Sequence, residues 1–212
     1  MSCKIYDVLR WTRGVALLVT VCALLCQAHT LQAATDPLSQ LKASVDKVLA
    51  VLKDEKLAVP EMRATRRQKV ESLVDSIFDF QEMGKRALGS TWDKLALAEK
   101  EEYVDLFARL VKQRYIGKID SYSGQEIIFK RQKLKGRSAL VYSVLLDNNT
   151  EIPIDYRLVL KNDLWTAYDL RIENVSLVAN YRRDFAGIVK KEGVAGLMKK
   201  MGEKVEQLEA DQ

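Results

Sequence analysis

The chain has 212 residues, which is enough for one domain with a sizeable apolar core. Its formal net charge is +5, and 48% of its residues are hydrophobic. So mild an excess of basic residues argues against a nucleic-acid-binding protein, in which basic residues concentrate in stripes.

The first 34 residues have the pattern of a secretory signal peptide, which leaves residues 35–212 as the predicted mature domain. Three basic residues precede an apolar run of 12 residues, Val15–Cys26, and small residues follow it. A membrane-spanning helix needs about 20 residues, so the pattern favours a signal peptide over an uncleaved anchor. The sequence leaves open where in residues 28–34 cleavage occurs.

The cysteines and the histidine all lie at this N-terminal end. Cys3, Cys22 and Cys26 fall inside the predicted signal peptide, and His29 lies within it or just after it. The predicted domain therefore has no disulfide, no thiolate or imidazole metal ligand, and no Cys/His or Ser/His/Asp catalytic arrangement. It also has no glycine-rich phosphate loop, so we predict neither a metal nor a cofactor.

Four amphipathic helices are predicted in the first part of the domain. Asp36-Pro37 is a capping carboxylate followed by a proline at the first helical position, and it begins the first helix. Pro60 begins the second helix, and Asp79 caps a short third helix that ends at Gly89. The fourth spans about residues 98–120, and its length and apolar stripe predict a central position.

After this helix the apolar residues alternate, as they do in strands. Four runs rich in β-branched and aromatic residues are separated by short turn sequences, and they read QEIIFKR, SALVYSVLLD, TEIPIDYRLVLK and LWTAYDLRIE. Short connections predict antiparallel hairpins. In the fourth run, strict alternation places Leu164, Tyr168, Leu170 and Ile172 on one apolar face.

Charged residues occupy the opposite face of the last two predicted strands. We expect four of them to form cross-strand ion pairs on the solvent-facing side of the sheet: Asp155, Arg157, Asp169 and Arg171. Asp155 and Asp169 are also the only strand-centred candidates for a carboxylate base. Because both lie on the polar side, the pattern favours a structural role over an enzyme.

The last strand leads directly into a helix through a turn at Glu173-Asn174, and Ser176 is placed to cap that helix. It is predicted over 176–191, and a shorter helix follows over about 194–208. Helices, then a four-stranded antiparallel meander, then helices again predict a single α+β domain with helices packed on one face of the sheet. Periodicity alone does not distinguish a filled core from a cavity.

Three segments of the chain resemble one known family: FDFQEMGKRALGSTW (78–92), YVDLFARLVKQRYIGKIDSY (103–122) and LWTAYDLRIENVSLVANYRRDF (164–185). They are similar to the periplasmic phospholipid-binding component of the Mla lipid-asymmetry transport system, the MlaC or toluene-tolerance family. The similarity extends from about Thr35 to Leu208. One departure is Asn174, where family members commonly have glycine; asparagine tolerates left-handed backbone angles better than most residues.

The resemblance implies a cystatin-like or nuclear-transport-factor-like fold that takes phospholipid tails into a pocket between sheet and helices. It implies a monomeric, non-enzymatic carrier in the periplasm. The implied partners are an outer-membrane lipoprotein–porin complex and an inner-membrane ABC transporter with an MCE-domain subunit. A carrier of hopanoid or another apolar lipid, and a periplasmic adaptor without cargo, stay open as alternatives.

Candidate lipid-binding residues follow from the predicted apolar faces rather than from the family. From the sheet we select Tyr142, Val144, Ile154, Tyr156 and Tyr168. From the helices we select Phe107, Leu110, Val111, Tyr181 and Phe185. Each buried acyl CH₂ contributes about 0.8 kcal/mol, so an apolar pocket is sufficient for binding and no catalyst is needed.

Overall fold

A computed structural model of the protein describes residues 36–148 and 150–211, apart from the side chains at positions 118 and 119. The predicted signal peptide, the three cysteines and His29 lie outside the described residues. Of the helices within the described ranges, none is long and apolar enough to cross a membrane.

Five α-helices occur in this part of the chain. They are α1 (Pro37–Lys53), α2 (Arg63–Ile77), α3 (Phe80–Leu88), α4 (Leu97–Asp120) and α5 (Leu177–Ala210). The predicted second helix begins later than expected, because Pro60–Met62 forms a tighter 3-10 turn before α2. The predicted pair of C-terminal helices corresponds to α5, which is interrupted at Gly193, where φ is 71° and ψ is −176°.

The predicted helix caps are present. The Asp36 carboxylate accepts a hydrogen bond from the Ser39 amide at 2.9 Å, and the Asp79 carboxylate accepts one from Glu82 at 2.9 Å. The Ser176 hydroxyl accepts the Ala179 amide at 3.0 Å. Each cap satisfies an amide that has no partner inside its own helix, so these local signals fix where α1, α3 and α5 begin.

The strands form one antiparallel sheet in chain order, β1 (Glu126–Lys135), β2 (Ser138–Asp147), β3 (Thr150–Lys161), β4 (Leu164–Ile172) and β5 (Val175–Ser176). The α+β prediction is confirmed, with a two-residue fifth strand in addition to the four that were expected. Glu173 and Asn174 form the turn into β5 with φ of 50° and 67°. Both angles are left-handed, as a tight hairpin turn requires.

A β-bulge at Tyr168 corrects the predicted apolar face of β4. Arg157 pairs with Asp169 and Leu158 pairs with Ala167, so Tyr168 has no partner on β3. The extra residue reverses the alternation. Trp165 and Ala167 therefore lie on the same face as Leu170 and Ile172, and Tyr168 packs against the helices instead. Leu164, which was expected on the apolar face, is 59% exposed.

The apolar core consists of two clusters. In the first, α1 and the end of α2 pack on the inner face of the sheet, with Leu41 and Ile77 against Tyr156 and Leu158. The second joins α3, α4 and α5. Its centre is aromatic, with the Phe107 and Tyr181 rings 5.3 Å apart. Phe78, between α2 and α3, packs against both clusters.

Candidate functional site

An apolar cavity of about 350 Å³ lies where the two clusters meet. Every layer of the fold contributes to its walls, since α1, α2, α3, α4, α5, β1 and β4 each supply at least one side chain. The lining consists of Val48, Leu52, Val70, Glu71, Val74, Phe78, Phe80, Met83, Val111, Lys112, Tyr115, Ile116, Ile127, Leu170, Ile172 and Leu177. A cavity with apolar walls favours an apolar ligand.

The charged side chains of this lining are Glu71 and Lys112. The Lys112 ammonium lies 3.0 Å and 3.2 Å from the two carboxylate oxygens of Asp75 and 5.8 Å from the centre of the Phe80 ring. Tyr115, in the same part of the lining, is 38% exposed. The cavity therefore meets solvent at an end where polar groups replace apolar ones.

A polar cleft of about 450 Å³ adjoins the cavity, since Glu71 lines both. Its other walls include Arg63 and Arg67 of α2. Both guanidinium groups bind the Asp120 carboxylate at the end of α4; the distance from the Arg63 terminal nitrogen is 2.6 Å. Hydrogen bonds from Arg67 and then Arg63 lower the pKa of Asp120 below its ordinary value. This ion-pair network holds α2 against α4 beside the cavity.

Of the helix residues selected from the sequence, Val111 lines the apolar cavity. Phe107, Leu110, Tyr181 and Phe185 are buried in the cluster of α3, α4 and α5. Tyr181 and Phe185 lie with ring centres 5.3 Å apart, and burial raises the pKa of Tyr181 to about 12. These four side chains belong to the same packed cluster as Val111. Their contact with a ligand stays a prediction.

The sheet residues selected from the sequence lie on two faces rather than one. Ile154 and Tyr156 are on the inner face, in the core under α1. Tyr142 pairs with Asp155 and Val144 with Pro153, so both belong to the outer face. The Arg131 guanidinium lies 4.1 Å from the centre of the Tyr142 ring.

The fifth sheet residue, Tyr168, lies at the bulge of β4. The Arg86 guanidinium is 4.0 Å from the centre of its ring. None of these five belongs to the cavity lining given above, and lipid contact stays a prediction for each.

Sequence reasoning missed the contribution of α1 and α2 to the cavity. Val48 and Leu52 of α1 and Val70 and Val74 of α2 belong to apolar stripes that predict packing against the sheet. A helical stripe has the same spacing whether it faces a filled core or an empty one. The sequence signal was therefore present, but it does not separate the two cases.

Comparisons with known proteins agree with this architecture. The model of the MlaC protein family matches residues 42–203. The chain belongs to the MlaC family. It is 22% identical over 185 residues to the intermembrane phospholipid transport system binding protein MlaC of Haemophilus influenzae, covering 84% of this chain and 86% of that protein. The fold is similar to a solved structure of the phospholipid-binding protein from Ralstonia solanacearum in complex with a phospholipid, with a TM-score of 0.73 and 28% identity over 82% of this chain and 98% of that one.

The family resemblance expected from the sequence is thereby confirmed, and its three segments meet at the cavity. The segment 78–92 supplies Phe78, Phe80 and Met83, and the segment 103–122 supplies four lining residues of α4. The segment 164–185 supplies Leu170, Ile172 and Leu177. Ten of the sixteen lining residues thus come from the segments that carry the resemblance.

The two strand carboxylates of this MlaC-family chain lie away from the cavity. Arg157 approaches Asp169 to 3.7 Å, and Arg171 approaches Asp155 to 3.7 Å, so the expected cross-strand pairs are present. Asp169 itself is not exposed to solvent, however, because the start of α5 covers it, whereas the side chain of Arg157 is 43% exposed. In the described ranges, no group of three or more His, Cys, Asp and Glu side chains is arranged to hold a metal ion.

Proposed function

We propose that the protein is a periplasmic carrier that binds phospholipid acyl chains in the apolar cavity and moves lipid between two membranes. The observation that carries the proposal is the cavity of about 350 Å³, lined by apolar side chains from both clusters. The phospholipid complex of the Ralstonia solanacearum protein and the transport role in the name of the Haemophilus influenzae relative support the same function.

The energetics favour a carrier of this kind. Each CH₂ that moves from water into the cavity contributes about 0.8 kcal/mol, so part of one acyl chain is enough for stable binding. The same term makes the unaided crossing of an aqueous compartment slow. The cavity volume of about 350 Å³ lies near the lower end of the range for ligand pockets, about 300–1,000 Å³.

The partners of the carrier belong to the same proposal. They are an outer-membrane lipoprotein–porin complex and an inner-membrane ABC transporter with an MCE-domain subunit, and the chain works as a monomer between them. No catalytic step is proposed. The strand carboxylates that an isomerase or dehydratase would use, Asp155 and Asp169, are paired with arginines outside the cavity lining.

Extraction of bound lipid from the purified protein tests the proposal. The full chain is expressed with export in a Gram-negative host, purified without detergent and examined by native mass spectrometry, and its lipid is then extracted and identified. We expect phospholipid at a fixed ratio to protein. Protein that is folded and consistently free of lipid would overturn the carrier, and a polycyclic lipid in place of phospholipid would change its cargo.

A further inference from the structure

We propose that one end of the sheet, formed by two hairpin tips, docks on the surface of an anionic lipid bilayer. The tips are residues 133–138, between β1 and β2, and residues 161–164, between β3 and β4. The inference goes beyond the proposed function, because a carrier can exchange lipid with membrane proteins without touching a bilayer itself. It is carried by the exposed leucines of the two tips and by the cations beside them.

The two hairpin tips lie at the same end of the sheet. Lys135 pairs with Ser138, and Ser138 pairs with Val159 of β3. Two residues further along β3, Lys161 pairs with Leu164. Each connection therefore has two residues between paired positions, which is the length of the tightest common hairpin turn.

Arg137 joins one tip to the other. Its carbonyl accepts a hydrogen bond of 2.9 Å from the backbone amide of Leu160. Its guanidinium donates to the Leu160 carbonyl at 2.8 Å through a terminal nitrogen and at 3.2 Å through Nε. Because Leu160 directly precedes the second tip, these bonds fix the two tips relative to each other.

Each tip has an exposed leucine. Leu134 is 60% exposed and Leu164 is 59% exposed. Polar turn residues separate the two leucines, so they do not form the continuous apolar centre that a protein–protein interface has. An apolar side chain that projects from a turn can enter the boundary between lipid headgroups and acyl chains, where no complementary shape is required.

Cations surround the leucine of the first tip. Lys133 and Lys135 flank Leu134, Arg137 follows in the turn, and Arg131 precedes them on β1. All four cations are exposed, and within the described residues none of them forms a salt bridge.

The carboxylates at this end of the sheet do not cancel that charge. Lys161 of the second tip is paired with Asp79 at 3.0 Å. Asp163 is exposed in the same turn, and Asp36 lies beside β1, where the Gln132 side chain donates to it. These last two carboxylates face the four cations of the first tip, so an excess of two positive charges remains.

An anionic bilayer matches both features. Each lysine or arginine near an anionic membrane surface strengthens binding about fivefold, and inserted apolar side chains add to this. Lysines on an edge strand also prevent it from pairing with another chain. That role does not explain why an exposed leucine, Leu134, lies between two of them.

Sedimentation with vesicles tests the docking surface. The full chain is expressed with export, purified without detergent and mixed at low ionic strength with two kinds of vesicle. One contains equal parts of phosphatidylglycerol and phosphatidylcholine, and the other contains phosphatidylcholine alone. The pelleted protein measures binding to the bilayer. We expect the binding constant to be about 10- to 30-fold higher for the anionic vesicles and to fall as salt is added.

Two variants and their matched controls locate the surface. Leu134→Ser should weaken binding to the anionic vesicles about three- to tenfold, and Lys135→Gln should weaken it about fivefold. Leu97→Ser removes the same side chain at a position that is 73% exposed at the start of α4. Lys191→Gln removes the same charge at an exposed position on α5. Both controls should stay within about twofold of the wild type, because distant charges are screened.

Tryptophan fluorescence gives an independent measurement of insertion. The emission of Leu134→Trp should shift to shorter wavelength when anionic vesicles are added, because the indole leaves water. The emission of Leu97→Trp should not shift. Trp92 and Trp165 are buried and contribute the same background to both variants. All variants are exported and purified in the same way, so they share one N-terminus.

The outcomes separate this inference from the proposed function. Wild-type protein that does not pellet, or that pellets equally with both kinds of vesicle, overturns the docking surface. So does wild-type binding by Leu134→Ser, which would assign the cations to an acidic protein surface instead. Phospholipid in the purified protein without vesicle binding leaves the carrier standing. Vesicle binding by protein that never contains lipid keeps the docking surface and overturns the carrier.

Discussion

The buried carboxylate of Asp169 accepts a hydrogen bond of 2.7 Å from the hydroxyl of Ser176. Its other oxygen accepts the backbone amide of Val178 at 3.1 Å. Asp169 is 2% exposed, so the last long strand is joined to the first turn of α5 by a charged group that water does not screen. Leu177, between the two donors, lines the cavity. The link thus positions one wall of the proposed lipid site.

Asp169→Ala should destabilise the protein by about 3 kcal/mol, because hydrogen bonds to a charged acceptor contribute about 1.5–3 kcal/mol each and the Val178 amide is left without its partner. The free energy of unfolding in urea measures the loss. Asp155→Ala is the matched control, since Asp155 is also buried but, among the described residues, its carboxylate has one charged neighbour, Arg171 at 3.7 Å. The loss in the free energy of unfolding should be clearly smaller for Asp155→Ala than for Asp169→Ala. An equal or larger loss for Asp155→Ala would contradict this role for Asp169.

The turn before α5 predicts a second effect on stability. Asn174 has a φ of 67°, which costs most side chains about 1–2 kcal/mol and costs glycine nothing. Asn174→Val should therefore lower the free energy of unfolding by about 1–2 kcal/mol. Asn174→Gly should stay within about 0.5 kcal/mol of the wild type, although it loses the exposed hydrogen bond from Arg171. Equal losses in the two variants would show that the left-handed angle is not the cause.

Much of the fold could be predicted from local signals. The caps at Asp36, Asp79 and Ser176 and the turn at Glu173-Asn174 are determined by residues within a few positions of one another. The bulge at Tyr168 could not be predicted in this way. One extra residue reverses the alternation of side chains along β4, and no residue of the strand marks where that extra residue lies. The position of one unpaired residue therefore decided which side of β4 faces the inner core.

The candidate site was only partly predictable for a different reason. Val111 was selected from an apolar stripe and lines the cavity, whereas Phe107, selected from the same stripe, is enclosed by aromatic rings. The same face of α4 therefore supplies both a cavity-lining residue and a residue of the filled core. Whether a position adjoins empty space depends on how closely α1 and α2 approach α4, and this is set by side chains far apart in the chain, including the ion pairs of Asp120.

The Asp120 network predicts a dependence of stability on pH. Arg67 and Arg63 hold the folded pKa of Asp120 below the ordinary value of 3.8. Because the folded pKa is lowered, this contribution to stability is fully present above about pH 4 and is lost as the pH falls through the lowered pKa. The free energy of unfolding of Asp120→Asn should thus lie below that of the wild type at pH 7, and the gap should narrow in acid.

A double-mutant cycle with Arg67→Gln checks that the ion pairs are the cause. Arg67 is the largest influence on the Asp120 carboxyl, so in the Arg67→Gln background the substitution Asp120→Asn should have a smaller effect at pH 7. An effect of the same size in both backgrounds, or a gap that widens in acid, would contradict the assignment.

Filling the cavity should weaken lipid binding without unfolding the protein. Val74 of α2 lines the cavity and is half-buried, so Val74→Trp can place its ring in the empty volume. If the ring excludes about three methylene groups of the ligand, binding weakens by about 2.4 kcal/mol, or roughly 50-fold. The measurement is the amount of phospholipid per protein after purification, with the thermal unfolding midpoint recorded for each variant.

The same substitution at an exposed position gives the control. Val59 is 43% exposed and lies outside the cavity lining, so Val59→Trp should retain wild-type lipid. Val48→Trp fills the cavity from α1 and should repeat the loss seen with Val74→Trp. If both filled variants fold and keep a full complement of lipid, the acyl chains bind elsewhere. The buried residues selected from the sequence, such as Phe107 and Tyr156, would then become the next positions to substitute.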